Sequence, residues 1–181
     1  MSANSPLHVP DDFLGLKMRI QSSKILEAEM QALGAVPQVM AFSEVYQALQ
    51  TGVVDGTENP PSNMYTQKMN EVQKHATLSN HGYLGYAVIV NKAFWDGLPE
   101  DVRANLDKAM AEATVYANSI AKEENDKALE AMKAAGTTEF HALTDEERAE
   151  WVAALKPVHE QMADRIGADL IQQVYTALGT N

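Results

Sequence analysis

Between Pro99 and Gly136 the chain contains neither glycine nor proline, and Val102, Leu106, Met110, Ala113, Ala117, Ile120, Leu129 and Met132 recur at helical spacing. Pro99 suits a helix start and Gly136 a helix end. A helix over Glu100 to Ala135 is roughly 54 Å long at ~1.5 Å per residue, well beyond the ~30 Å width of a small domain. A rod of that length is expected to bridge two lobes, unless Asn125 or Asp126 kinks it. A coiled-coil arm is the other use for such a helix. Here the apolar stripe thins between Glu123 and Lys127, and heptads are not sustained.

Upstream of the rod the chain reads as alternating strands and helices. A turn over Pro10 to Gly15 leads into a strand at Lys17 to Ile20. Ser22 or Ser23 then caps a helix carrying Ile25, Leu26, Met30 and Leu33, which Gly34 ends, and Pro37 to Met40 returns as a strand. Connections this short favour a parallel pair with a right-handed crossover. Ser43 is expected to cap a second helix that Gly52 closes, followed by a strand at Val53 to Asp55 and a helix over Pro61 to Val72. Thr77 to Leu78 and Tyr86 to Val90 are further strand candidates. Downstream, Thr144 with Glu147 forms a capping box, and amphipathic helical stretches continue to Leu178.

In open α/β sheets ligands collect beyond the carboxyl ends of the strands, where Arg19 falls. Its guanidinium can grip a carboxylate with two parallel hydrogen bonds. Ser22 and Ser23 lie at a helix N-terminus, where free N–H groups favour an anion, and Asn59 lies just past the Val53 to Asp55 strand. Each residue also has a plainer use. Arg19 could pair with a nearby acid, the serines could simply cap, and Asn59 could serve a turn before Pro60. Phe42 and Met40 are candidates for an apolar wall, or for ordinary core.

A net charge of −11 makes nucleic acid and anionic membranes poor partners. It does not argue against a small anion, because distant charges are screened within about 8 Å and the local arginine decides. With no cysteine there is no thiolate metal site, disulfide or Cys nucleophile. His8, His75, His81, His141 and His159 are scattered without an HExxH spacing, so no metal site is expected. His81, near Asn80 and Tyr83, is the one histidine placed beside a pocket. GxSxG, P-loop and GxGxxG motifs are absent, and no cofactor is implied. The N-terminus has neither a basic nor an apolar region of an export signal, and no apolar run approaches the length of a membrane span.

The runs Gly15 to Ser23, Gly34 to Tyr46 and Leu49 to Pro60 strongly resemble the substrate-binding proteins of TRAP transporters, most of all the DctP type that captures C4-dicarboxylates in the periplasm. Glu71 to His75, Asn80 to Tyr83 and Leu98 to Arg103 extend the similarity over essentially the whole chain. The resemblance implies an α/β fold of the type II periplasmic binding protein kind, with two lobes that close on the ligand and a long helix spanning both. It implies that Arg19 pairs with a substrate carboxylate, that Asn59 hydrogen-bonds the same group, and that Phe42 and His81 lie near the ligand. Family members carry a further lobe, an export signal and another arginine upstream of the position of Met1. The expectation is therefore one complete lobe plus part of the second. Residues 1–84 form the ligand-binding lobe, 85–99 a crossover strand contributing to the other lobe, 100–135 the spanning helix, and 136–181 C-terminal helices packing on the lobes. The partners implied are a dicarboxylate such as succinate, fumarate or malate and the TRAP permease subunits, with oligomerisation possible through apolar surface left uncovered. A small hydrolase using His81 as base, or an interaction module that binds nothing small, are the other readings.

Overall fold

The computed structural model describes residues 1–179. In chain order the elements are β1 (Ser2–Ala3), β2 (Lys17–Ile20), α1 (Lys24–Ala32), β3 (Val36–Val39), α2 (Val45–Thr51), β4 (Gly56–Thr57), α3 (Pro61–Thr66), β5 (His75–Leu78), α4 (Lys92–Asp96), α5 (Glu100–Ala135), β6 (Glu139–Ala142), α6 (Asp145–Gln161), α7 (Ala163–Ile166) and α8 (Ala168–Leu178). No helix among the described residues is long and apolar enough to cross a membrane.

The strands form one sheet in the order β3-β2-β4-β1-β5-β6. β2 runs parallel to β3 and β4, and β5 parallel to β6, while β1 is antiparallel to both β4 and β5. β2 to β6 therefore all point the same way, and their carboxyl ends share one edge of the sheet. β1 runs against them, so Met1 lies at that same edge, with its amine donating to the Thr77 carbonyl at 3.1 Å.

Side chains alternate across a strand, and this divides the core in two. Met18 and Ile20 face one side, packed with Leu7, Phe13, Met30 and Trp151 under α1 and α6. The other side holds Val45, Leu49, Met64 and Met132 from α2, α3 and the far end of α5, with Val54 and Met69 from the segments that follow α2 and α3. Arg19, between Met18 and Ile20, points to this second face.

The long helix runs without a break from Glu100 to Ala135 and ends at Gly136 in the left-handed conformation, φ 68°. Asn125 does not kink it. Its amide instead donates to the Ala121 carbonyl one turn back and accepts from the Ser62 N–H at 3.1 Å, capping α3 from outside. Ser23 caps α1 by accepting from Leu26 N–H, and Thr144 and Glu147 close the capping box of α6.

Four local expectations are corrected. Tyr86 to Val90 is not a strand: among the described residues no neighbour pairs with it, and an extended run without a partner leaves its backbone to solvent. The strand expected at Val53 to Asp55 begins instead at Gly56, because Val53 and Val54 N–H groups still bond the Ala48 carbonyl of α2. The helix expected over Pro61 to Val72 stops at Thr66, since Lys68 takes positive φ, and resumes as a 3₁₀ turn at Met69–Glu71. Ser43 lies inside a 3₁₀ turn, Phe42–Glu44, and Glu44 holds the cap position of α2 without a side-chain bond.

Candidate functional site

The carboxyl edge of β2, β3 and β4 brings three loops together. Arg19 is aligned with Gln38 on β3 and Thr57 on β4, so the segments after these positions, Met40 to Phe42 and Glu58 to Asn59, leave the sheet beside it. Arg19 is 1% exposed, very low for a guanidinium. Its Nε and Nη2 donate together to the Met40 carbonyl at 3.1 and 2.8 Å, and its Cζ stands 5.7 Å from the centre of the Phe42 ring. Both contacts orient the group. Nη1 is buried with no hydrogen-bond partner.

The charge on Arg19 is not free of cost. Burial lowers its pKa, and the neighbouring Glu58 opposes that. Glu58 in turn has a raised pKa, chiefly from burial, against the pull of the Met1 amine, a Gln21 hydrogen bond and Arg19. Glu29 on α1 is raised to about 7 by burial and by the Glu58 charge. The edge thus carries a buried cation, and acids held toward their neutral form.

Asn59 donates from Nδ2 to Thr57 Oγ1 at 3.1 Å and more weakly to Met69 Sδ, while its Oδ1 is buried and unpartnered. Because Thr57 can either accept or donate, turning the amide over preserves that bond and presents Nδ2 where Oδ1 now lies. An unpaired buried polar group is uncommon, and here Arg19 Nη1 and Asn59 Oδ1 are joined by Gln21 Oε1, Glu29 Oε2 and Glu58 Oε1, which marks a place suited to a small polar ligand.

His81 follows the carboxyl end of β5 at the same edge. Its Nδ1 lies 2.7 Å from Ser79 Oγ, its ring packs near Trp151, and burial lowers its pKa to about 3, assisted by the Met1 amine. It is therefore a neutral imidazole facing the first half of the core, and its contacts are with Ser79 and Trp151 rather than with Arg19. Ser22 and Ser23 form a separate concavity with Lys24, Ile25, Glu27, Val39 and Arg165. The structure thus sets Phe42 against Arg19 and ties Asn59 to Thr57, the residue aligned with Arg19 on β4, while the two serines line a concavity that Arg19 does not. Glu58 was not among the site residues legible beforehand, and Met40 was expected there only through its side chain, as part of an apolar wall. The only signal for Glu58 was its adjacency to Asn59, and Met40 contributes a backbone carbonyl that no side-chain reading reveals.

The family model described as DctP, bacterial extracellular solute-binding protein, family 7, matches residues 1–166. The chain is 81% identical over 177 residues to the C4-dicarboxylate-binding periplasmic protein DctP of Rhodobacter capsulatus, covering 98% of this chain and 53% of that protein. A TRAP periplasmic solute-binding protein from Shewanella oneidensis, solved with bound succinate, superposes with a TM-score of 0.92 at 41% identity, over 94% of this chain and 56% of the other. One from Pseudomonas aeruginosa PAO1, solved with bound L-malate, gives 0.85 at 41% identity, over 88% and 56%. The chain spans about half the length of the curated relatives it matches.

Proposed function

The chain belongs to family 7 of the bacterial extracellular solute-binding proteins, with the type II periplasmic binding protein fold, and on that premise we propose that it captures a C4-dicarboxylate for a TRAP permease. It does so as a binding component, without making or breaking a covalent bond. The observation that carries the reading is the buried Arg19 with Nη1 left unpartnered at the carboxyl edge of the sheet.

A ligand carboxylate there completes the hydrogen bonding of a guanidinium already oriented by Met40, so little ordering is lost on binding. Asn59, with its amide turned, donates to the same group. Phe42 offers its ring to the carbon chain of the ligand, and the raised pKa of Glu58 limits like-charge repulsion. The second carboxylate is met by groups of the other lobe that the family resemblance implies. The periplasm is the proposed location, as the Rhodobacter relative is named periplasmic. No observation favours the hydrolase: His81 is neutral and faces Trp151, with no nucleophile set beside it other than the Ser79 hydroxyl it already bonds.

The test is calorimetric or ligand-observed NMR titration with succinate, fumarate and malate. Arg19→Ala is expected to abolish binding, and Arg19→Lys to restore little of it, because an ammonium cannot reproduce the planar fork. Unchanged affinity in both variants overturns the assignment.

A further inference from the structure

The fold brings together two histidines that lie far apart in sequence. His8, in the loop after β1, stacks on His141 of β6 with ring centroids 3.9 Å apart, and Glu147 of α6 reaches both. One ligand atom from each of the three lies within 4.8 Å of the others. None of the three takes part in the Arg19 site, and the solute-binding reading does not use them. From this geometry we propose that His8, His141 and Glu147 bind a divalent transition cation of the zinc type, with water completing the coordination.

The donor set is two imidazole nitrogens and a carboxylate oxygen, a set that suits Zn²⁺ in sites that keep an open position. All three anchors are already held. The His8 backbone N–H donates to Asp12 Oδ2 at 2.7 Å, and its carbonyl accepts from Trp151 Nε1 at 2.9 Å. His141 stands in the β5–β6 ladder opposite Thr77. Glu147 is fixed by the capping box, in which Oε2 accepts from the Thr144 N–H at 2.8 Å. Oε2 also meets His141 Nε2 at 2.7 Å, while Oε1 is 3.8 Å from His8 Nδ1. The carboxylate can thus keep one oxygen on the helix cap and turn the other to a metal.

Tetrahedral Zn²⁺ with bonds of ~2.0–2.1 Å needs donors roughly 3.4 Å apart, so the cluster must contract by about an ångström. His8 can supply that movement, because its side chain is 44% exposed and no backbone group depends on its ring. The face it turns to water is also the entry path. A bound ion would tie the loop before Pro10–Phe13 to the start of α6, and binding to the native state alone raises its stability.

The test is Zn²⁺ titration of the metal-stripped 181-residue chain by calorimetry, with histidine ring signals followed by NMR. Saturable binding near one ion per chain is expected, shifting His8 and His141 signals and raising the thermal midpoint. His8→Gln, His141→Gln and Glu147→Gln should each weaken it at least about tenfold, since losing even a residue that only supports a ligand costs 10–100-fold. Glu147→Gln keeps a residue able to serve the capping box, so its effect reads the charge rather than the helix start. His75→Gln and His159→Gln should leave affinity unchanged. Absence of saturable binding, or an equal loss in the His75 and His159 variants, overturns the proposal, and so does unchanged affinity in Glu147→Gln. A stack that is only hydrogen-bonded would give the first of these results.

Discussion

The two ends of α5 share one helix and one apolar period, yet their surroundings differ. Near its C-terminus Ala128 and Met132 are buried against α3 and the second core cluster. In its first half Val102, Leu106 and Met110 are partly open, and Val115 and Tyr116 are 71% and 66% exposed. The run Tyr83 to Val90 that precedes the helix is equally apolar and equally open. An amphipathic pattern marks a face for burial; whether that face is covered depends on what stands opposite it.

The largest break in that comparison is expected from Met132→Ala, which should cost about 2–5 kcal/mol through lost transfer energy and a cavity, read as a lower urea midpoint at unchanged slope. Val115→Ala on the exposed half should stay within about 0.5 kcal/mol. Equal losses at the two sites would mean that the first half is packed in solution. The boundary between the halves is sharpened by Asn125→Ala, which removes the acceptor of Ser62 N–H and should cost about 1 kcal/mol, as loss of an N-cap does. Asn118→Ala, on the open stretch, should cost almost nothing in the same measurement.

A separate effect is a slope against pH, at the sheet edge where charge rather than apolar surface is buried. Glu29 has a folded pKa of about 7, above its ordinary value of 4.5. Below pH 4.5 it is protonated in both states. Between pH 4.5 and 7 the unfolded chain releases the proton first, so this group's contribution to stability is lost as pH rises, and it levels off above 7. The stability of Glu29→Gln relative to the parent chain should therefore climb across that window, measured by urea unfolding at a series of pH values. His81 and the Met1 amine, both with lowered pKa, tilt the parent curve the other way, which is why the difference between the two chains is the quantity to follow. A flat difference would show that Glu29 is not desolvated as the structure has it.

Much of the architecture was legible residue by residue. The bounds of α5 follow from Pro99 and Gly136, the start of α1 from the pair Ser22 and Ser23, of which Ser23 caps, and the start of α6 from Thr144 and Glu147. Arg19 at the end of β2 was legible as an anion candidate for the same local reason. β1 was not, because Ser2 and Ala3 carry no alternation and become a strand only by lying between β4 and β5. Tyr86 to Val90 misled in the opposite sense, having strand composition but no partner among the described residues. The His8–His141 stack could not be read from spacing at all, since the two belong to segments that meet only through the sheet.

The limits of α5, the capped starts of α1 and α6 and the place of a charged residue along its strand were determined by the sequence alone, because they depend on hydrogen bonds and steric preferences acting over a few residues. Tertiary structure decided which apolar face is covered, that Arg19 is buried with one nitrogen unpaired, that Glu58 and Glu29 are pushed toward neutrality, and which histidines touch. Burial and field are sums over neighbours contributed by distant parts of the chain, and no local pattern contains them.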